Sequence, residues 1–297
     1  MHPFLFTAPV VHVRVLSAQA MLVLAVVAGL WLVGRLGHSL EGLDTRTTRR
    51  AGAWVTIAML AGARLHFVLN HWYLFADRPL TAFAVWSGGR HAVAGVVCGL
   101  LAAPLACRAY GLPARKLADC GSIAVGLGLA ITRVGCFLHG CCFGTMCDWP
   151  WCMGFPPSSP AYNLQAPLGL LPPGATRSLP VHPLQLYFAA AALLGAAFLR
   201  WLEPRKRYDG QVVIVSLVLY SASSAALELL RYDYRGRPYW GALPQLLWVA
   251  LAAAGASLAA LAIAETIHAW RSRQAASPSS RSSFSRTSDG STTGFAR

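Results

Sequence analysis

Residues 118–144 read ADCGSIAVGLGLAITRVGCFLHGCCFG: an apolar stretch, then Arg133 near its exit, with His139 and the cysteines Cys136, Cys141 and Cys142 around the turn that follows. The apolar part has the length, roughly 20 residues, that a helix needs to cross about 30 Å of hydrocarbon. A charged side chain inside such a span is costly, so Arg133 marks a candidate functional site. The glycines in the run let backbone and ligand approach closely.

The rest of the chain supports a membrane reading. Of its 297 residues 56% are hydrophobic and only 12% charged, whereas a soluble domain has about 25% charged residues. The apolar residues come in blocks near 17–37, 51–72, 91–110, 118–138, 182–203, 210–231 and 243–267, so about seven transmembrane helices are expected in an all-α integral membrane protein. Met1 to Arg14 has no basic segment before an apolar core, and the first block therefore reads as a retained span rather than a cleaved leader.

The net charge of +14 is mostly arginine, and its distribution reads as topology rather than nucleic-acid binding. Alternate loops hold Arg46, Arg49 and Arg50, then Arg108, Arg115 and Lys116, then Arg205, Lys206 and Arg207, with Arg271 and Arg273 after the last span. The intervening loops hold fewer. The positive-inside rule then puts the N-terminus outside and the C-terminus inside. One transmembrane domain is expected over 1–270, and 271–297 reads as a basic, Ser/Arg-rich disordered cytoplasmic tail.

On that topology polar residues gather at the outward ends of several spans: Arg64, His66, Asn70 and His71, then His91, Arg133, His182 with Gln185, and Glu228 with Arg231. The long segment 139–181, rich in Pro, Gly and Trp, is the candidate cap over a site. Arg133 either snorkels to the headgroups or presents its planar donors to a lipid phosphate. Glu228 and Arg231 share a helix face, either as a structural ion pair or as a device that orients a guanidinium. His182, Gln185 and Tyr187 either anchor a helix start or place a general base, since an imidazole titrates near neutral pH. Cys136, Cys141 and Cys142 lack the paired C-x₂-C spacing of a structural zinc site, so no metal or cofactor is expected. A disulfide within 136–152 or a reactive thiol are the remaining readings.

These residues resemble the prolipoprotein diacylglyceryl transferase family, over most of the chain from Ser17 to Trp248. Arg133-Val134-Gly135-Cys136-Phe137 with Gly140 and Gly144 is similar to that family's G-R-x-G-N-F-x-N-x-E-x-x-G signature. His182-Pro183-Leu184-Gln185-Leu186-Tyr187 looks like its H-P-x-Q-L-Y box, and Trp86-Ser87-Gly88-Gly89 like its W-E-G-G turn. Gly210, Tyr220, Glu228 and Arg231 resemble its sixth-span pattern, and Gln245 a glutamine near the last span. Several positions depart. Cys136 and His139 stand where the family has asparagines, and Cys141 where it has a glutamate. Its proposed catalytic histidine falls on Val93, its sixth-span arginine on Ser224 and a first-span tyrosine on Ala18.

The resemblance implies a seven-span enzyme of the bacterial inner membrane that moves diacylglycerol from phosphatidylglycerol to a lipobox cysteine of a prolipoprotein. Carried onto this sequence, Arg133, His91, His182 and Glu228 become catalytic candidates, with His91 or His182 substituting for the missing base. Gly88, Gly89, Gly135, Gly144, Gln185, Tyr187 and Arg231, together with Arg133, become phospholipid-binding candidates. Two alternatives remain open. One is a different lipid or acyl transferase on the same scaffold, with Cys141 or Cys142 as nucleophile. The other is a non-enzymatic lipid-binding, thiol-redox or metal-binding membrane protein.

Overall fold

The computed structural model describes residues 4–8, 13–83, 92–231, 239–240 and 243–276. Its architecture is helical: α1 Ser17–Glu41, α2 Thr45–Asn70, α3 Ala92–Ala109, α4 Ala114–His139, the short α5 Pro160–Gln165, α6 Leu184–Leu202, α7 Gln211–Glu228 and α8 Gln245–Ala276. The pairs β1 Phe4–Ala8 with β2 Val13–Leu16, and β3 Tyr239–Trp240 with β4 Leu243–Pro244, form two small antiparallel ribbons. Each of the expected apolar blocks coincides with one helix. Six helices are long and apolar enough to cross a membrane. The block at 91–110 becomes α3, a shorter apolar helix that carries Pro104. The expected count of seven is therefore met in full length by six. The helix α8 also continues through the boundary expected at residue 270.

Helix ends follow local chemistry. Asp44 caps α2, accepting from the Thr47 amide at 2.7 Å and the Thr47 hydroxyl at 2.6 Å, which satisfies donors that the first turn leaves unpaired. α4 is the centre of the bundle and packs on α1, α6 and α7, while α2 packs on α3 and α8 on α7. Small residues allow the close α2–α3 contact: a Cβ on Gly95 would lie 2.8 Å from the Met59 carbonyl oxygen. Such close approach is how membrane helices gain van der Waals contact when apolar surroundings remove the hydrophobic drive between them. Large apolar side chains cover the outside, among them Val23, Leu24, Val27, Leu100, Leu101 and Leu194. An apolar exterior over helices of this length belongs against lipid, which makes the chain a multi-pass membrane protein.

One end of the bundle is held by an ionic cluster over an apolar layer that includes Leu36, Leu117, Cys120, Ile123, Leu199 and Val212. Lys206 pairs with Glu41 at the end of α1, with Asp119 of α4 at 3.1 Å, and with Glu203 at 3.3 Å. Lys116 reaches Glu41 at 3.0 Å. The fully buried Asp119 also accepts from the backbone amides of Gly210 at 2.8 Å and Val213 at 3.0 Å. It therefore caps α7 from a different helix, where a carboxylate is favoured by unpaired amides and by the helix dipole. Burial pulls the Lys206 ammonium towards neutrality, but its hydrogen bonds to Glu41 and Asp119 prevail and hold its pKa above the usual lysine value. Removing one partner of a buried, hydrogen-bonded charge network is costly. Asp119→Ala is expected to destabilise the detergent-solubilised protein by about 3 kcal/mol, read from its unfolding midpoint. Asp209→Ala, whose side chain is 43% exposed, should change stability by less than about 0.5 kcal/mol.

Candidate active site

The opposite end of the bundle is built from the C-terminus of α4. Gly140 adopts a left-handed φ of 77°. Its amide bonds to the Phe137 carbonyl at 3.1 Å, and the Cys141 amide reaches back to the Cys136 carbonyl at 3.2 Å. This is the Schellman pattern of helix termination, which folds the chain back over the last turn. Cys142 follows with φ 59°, a left-handed conformation rare outside glycine and asparagine.

The chain then enters a small backbone junction. Gly144 donates to the His182 carbonyl at 3.0 Å, His182 donates to the Thr145 carbonyl at 2.9 Å, and Thr145 donates to the Leu230 carbonyl at 2.8 Å. The exits of α4 and α7 and the start of α6 are thereby fixed to one another. Only glycine fits at position 144, since a Cβ there would lie 2.8 Å from both His182 Cβ and the Leu230 oxygen. Gly135 serves a different contact: a Cβ on it would lie 2.7 Å from Met21 Cβ, so it lets α1 pack against α4.

Around this junction sit the polar side chains. The Arg133 guanidinium lies 4.4 Å from the centroid of the Phe188 ring of α6, a cation–π contact that steadies a charge in apolar surroundings. The sulfurs of Cys136, Cys141 and Cys142 all lie within 4.8 Å of one another. Hydrogen bonding with Cys136 and Cys141, aided by the Arg231 and Arg133 cations, holds the Cys142 thiol below the usual thiol range. Gln185 is fully buried and donates to the Cys141 carbonyl at 2.6 Å. Its Oε1 has no donor among the described residues. His182 Nδ1 and the Tyr187 hydroxyl are 3.1 Å apart. Arg231 Nη1 is 3.5 Å from the buried Glu228 carboxylate.

Segment 139–181 folds over this end around its own core of Phe143, Phe155, Ala161 and Val181. Val181 pairs with Met153 in both directions, at 3.1 and 3.2 Å. A disulfide joins Cys147 to Cys152, while Cys136, Cys141 and Cys142 are free thiols. The expected bond within 136–152 is therefore present, but on two cysteines other than the three singled out from the sequence. The disulfide carries the stacked Trp149 and Trp151. Beside it an open cleft of about 430 Å³ is lined by Met146, Asp148, Trp149 and His182.

The structure thus links Arg133, Cys136, Cys141, Cys142, Gly144, His182, Gln185, Tyr187, Glu228 and Arg231 into one neighbourhood. Gly88, Gly89 and His91 lie outside the described residues. Arg64 joins a separate arrangement, donating to the carbonyls of Ala82 at 2.8 Å and Thr81 at 3.1 Å, with its guanidinium 5.7 Å from the Phe67 ring centroid and 5.5 Å from that of Phe75. Sequence reading missed Phe188 and the Asp119–Lys206 hub. A carboxylate inside an apolar run was the available signal for Asp119; no spacing rule points to Phe188.

The family model described as prolipoprotein diacylglyceryl transferase matches residues 3–266. Three similar proteins carry the name phosphatidylglycerol–prolipoprotein diacylglyceryl transferase. That of Synechococcus elongatus is 30% identical over 215 residues, 70% of each chain. That of Leifsonia xyli is 28% identical over 240 residues, 77% of this chain and 68% of its own. That of Chromohalobacter salexigens is 29% identical over 237 residues, 77% of this chain and 82% of its own. A match over nearly the whole helical bundle, with the junction at Gly144 among the matched residues, shows that this chain belongs to the prolipoprotein diacylglyceryl transferase family of transferases.

Proposed function

We propose that this protein transfers the diacylglyceryl group of phosphatidylglycerol to the lipobox cysteine of a prolipoprotein, in the outer leaflet of a bacterial inner membrane. The observation that carries this reading is the backbone bridge between Gly144 and Arg231, which brings the exit of α7 against the turn that ends the helix bearing Arg133. Two guanidinium groups beside one backbone junction suit a phosphate at headgroup depth. The reading places the N-terminus outside, the C-terminus inside, and residues 271–297 as a basic cytoplasmic tail.

In this mechanism the acceptor thiolate attacks the glycerol carbon that bears the phosphate. The carbon–oxygen bond breaks, and glycerol phosphate leaves with the bonding pair on its oxygen. Arg133 and Arg231 stabilise the charge that develops on the leaving phosphate. Glu228 orients Arg231, and the unpaired Gln185 Oε1 accepts from a headgroup hydroxyl. The acceptor proton passes to His182, whose Nδ1 is engaged by Tyr187 so that Nε2 serves as base, or to His91. Gly135 and Gly144 let the elements of the site approach closely, and Gly88 and Gly89 stay lipid-binding candidates on the family resemblance alone.

Reconstitution in phosphatidylglycerol vesicles with a lipobox peptide tests the reading. Glycerol phosphate release and a peptide mass increased by diacylglycerol are expected; neither appearing while a control transferase is active would overturn it. Arg133→Ala is expected to lower turnover about 10²–10³-fold, the effect of removing one charge-stabilising donor, with the fold preserved by circular dichroism. Gly144→Ala should cut turnover by at least about tenfold by separating His182 from Leu230, an effect that Gly195→Ala on α6, where a Cβ meets nothing within 4 Å, should not reproduce.

A further inference from the structure

Three thiols in one place go beyond what phosphate binding requires. Cys136 lies in the last turn of α4, and the Schellman reversal brings Cys141 and Cys142 back beside it. The reversal normally closes with an apolar contact between these two positions; here it closes with two sulfurs. The Cys141 thiol donates to the Cys136 carbonyl at 3.7 Å, and Gln185 holds the Cys141 carbonyl from α6. Cys142 is kept in its left-handed backbone conformation, the kind of strain that persists where the surroundings over-determine a residue. The three sulfurs are therefore held by backbone geometry, and they are chemically distinct from the disulfide pair nearby.

We infer that Cys136, Cys141 and Cys142 form a three-thiolate zinc site whose open fourth position takes the acceptor cysteine of the protein substrate. A tetrahedral ion about 2.3 Å from each sulfur sets the sulfurs about 3.8 Å apart. Their present separations, within 4.8 Å, need about 1 Å of closure, which side-chain rotation supplies. Three protein ligands with one position free is the arrangement of catalytic rather than structural zinc. Three thiolates and Zn²⁺ carry one net negative charge, which the Arg133 and Arg231 cations offset.

The inference rests on the proposed transferase reading and deepens it, because that reaction alkylates a thiol. Coordination to zinc deprotonates a thiol outright, and the released proton goes to His182 or water. A sulfur lone pair of the bound thiolate then forms the bond to the glycerol carbon as the carbon–oxygen bond breaks. Glycerol phosphate departs with the electron pair, and nothing is oxidised or reduced. The thioether product is a poorer zinc ligand than the thiolate it replaces, so alkylation itself releases the lipidated peptide.

Cobalt(II) titration of the full chain in phosphatidylglycerol nanodiscs tests this. One equivalent should produce thiolate-to-cobalt charge-transfer absorption, absent from C136S/C141S/C142S. Adding a lipobox peptide should raise the band by about a third, four thiolates in place of three, whereas its Cys→Ser counterpart should leave it unchanged. If the triple variant does not fold, zinc protection of Cys141 and Cys142 from alkylation in the unsubstituted chain, read by mass spectrometry, decides the same point. No band, no protection, or no response to the peptide overturns the inference. Glycerol phosphate release that survives complete zinc removal also overturns it, while leaving the transferase reading in place. Cobalt binding with a peptide response but no release in the zinc-loaded protein keeps the site and removes the transferase reading.

Discussion

Backbone that leaves a helix at the edge of a membrane must still pair its amides and carbonyls, and that requirement governs the functional end of this protein. The chain meets it through a short ladder in which Gly144, Thr145, His182 and Leu230 satisfy one another. The ladder needs close approach, and a side chain at position 144 would occupy the same space as His182 and the Leu230 carbonyl. Once these bonds form, the exits of α4 and α7 and the start of α6 have fixed relative positions. Arg133 and Cys136 are then placed by α4, and Cys141, Cys142, His182 and Arg231 by the backbone that the ladder pins beside the helix ends.

The two ends of the bundle use charge differently. At the Lys206 end, carboxylates and amines pair with each other and with the first amides of α7, so charge is consumed in holding helices together. At the other end only Glu228 and Arg231 form an ion pair among the described residues. Arg133 rests instead on the face of Phe188. A cation that lies on a ring keeps all its in-plane donors for an anion, whereas Arg231 commits Nη1 to Glu228 and has fewer to offer. The cap over this end has its own apolar core and a disulfide, so it is a small folded layer rather than a loose connection.

Much of this organisation was legible in the chain. Apolar block lengths located every long helix, because the thickness of a bilayer fixes how many residues a span needs. Arg133 stood out because a charge in hydrocarbon requires a reason, and Arg231 and Glu228 because their spacing puts them on one helix face. The cysteines were harder. Six of the eight are free thiols, and choosing the disulfide pair depends on distance, which spacing alone does not supply. Cys147 and Cys152 bond because the cap folds them together.

By itself the sequence determined the span pattern, the charged residues that such spans must account for, and the glycines that mark close approach. All of these follow from local composition against a solvent of known thickness. Only the tertiary structure decided which of those residues meet. Cys136, Cys141 and Cys142 converge because a left-handed glycine reverses the chain over the last turn of α4. Asp119 caps α7 because the two helices lie side by side, and Arg64 joins the loop after its own helix instead of the site. Such pairings depend on long-range packing and on which backbone groups remain unsatisfied, and neither is encoded at any fixed separation along the chain.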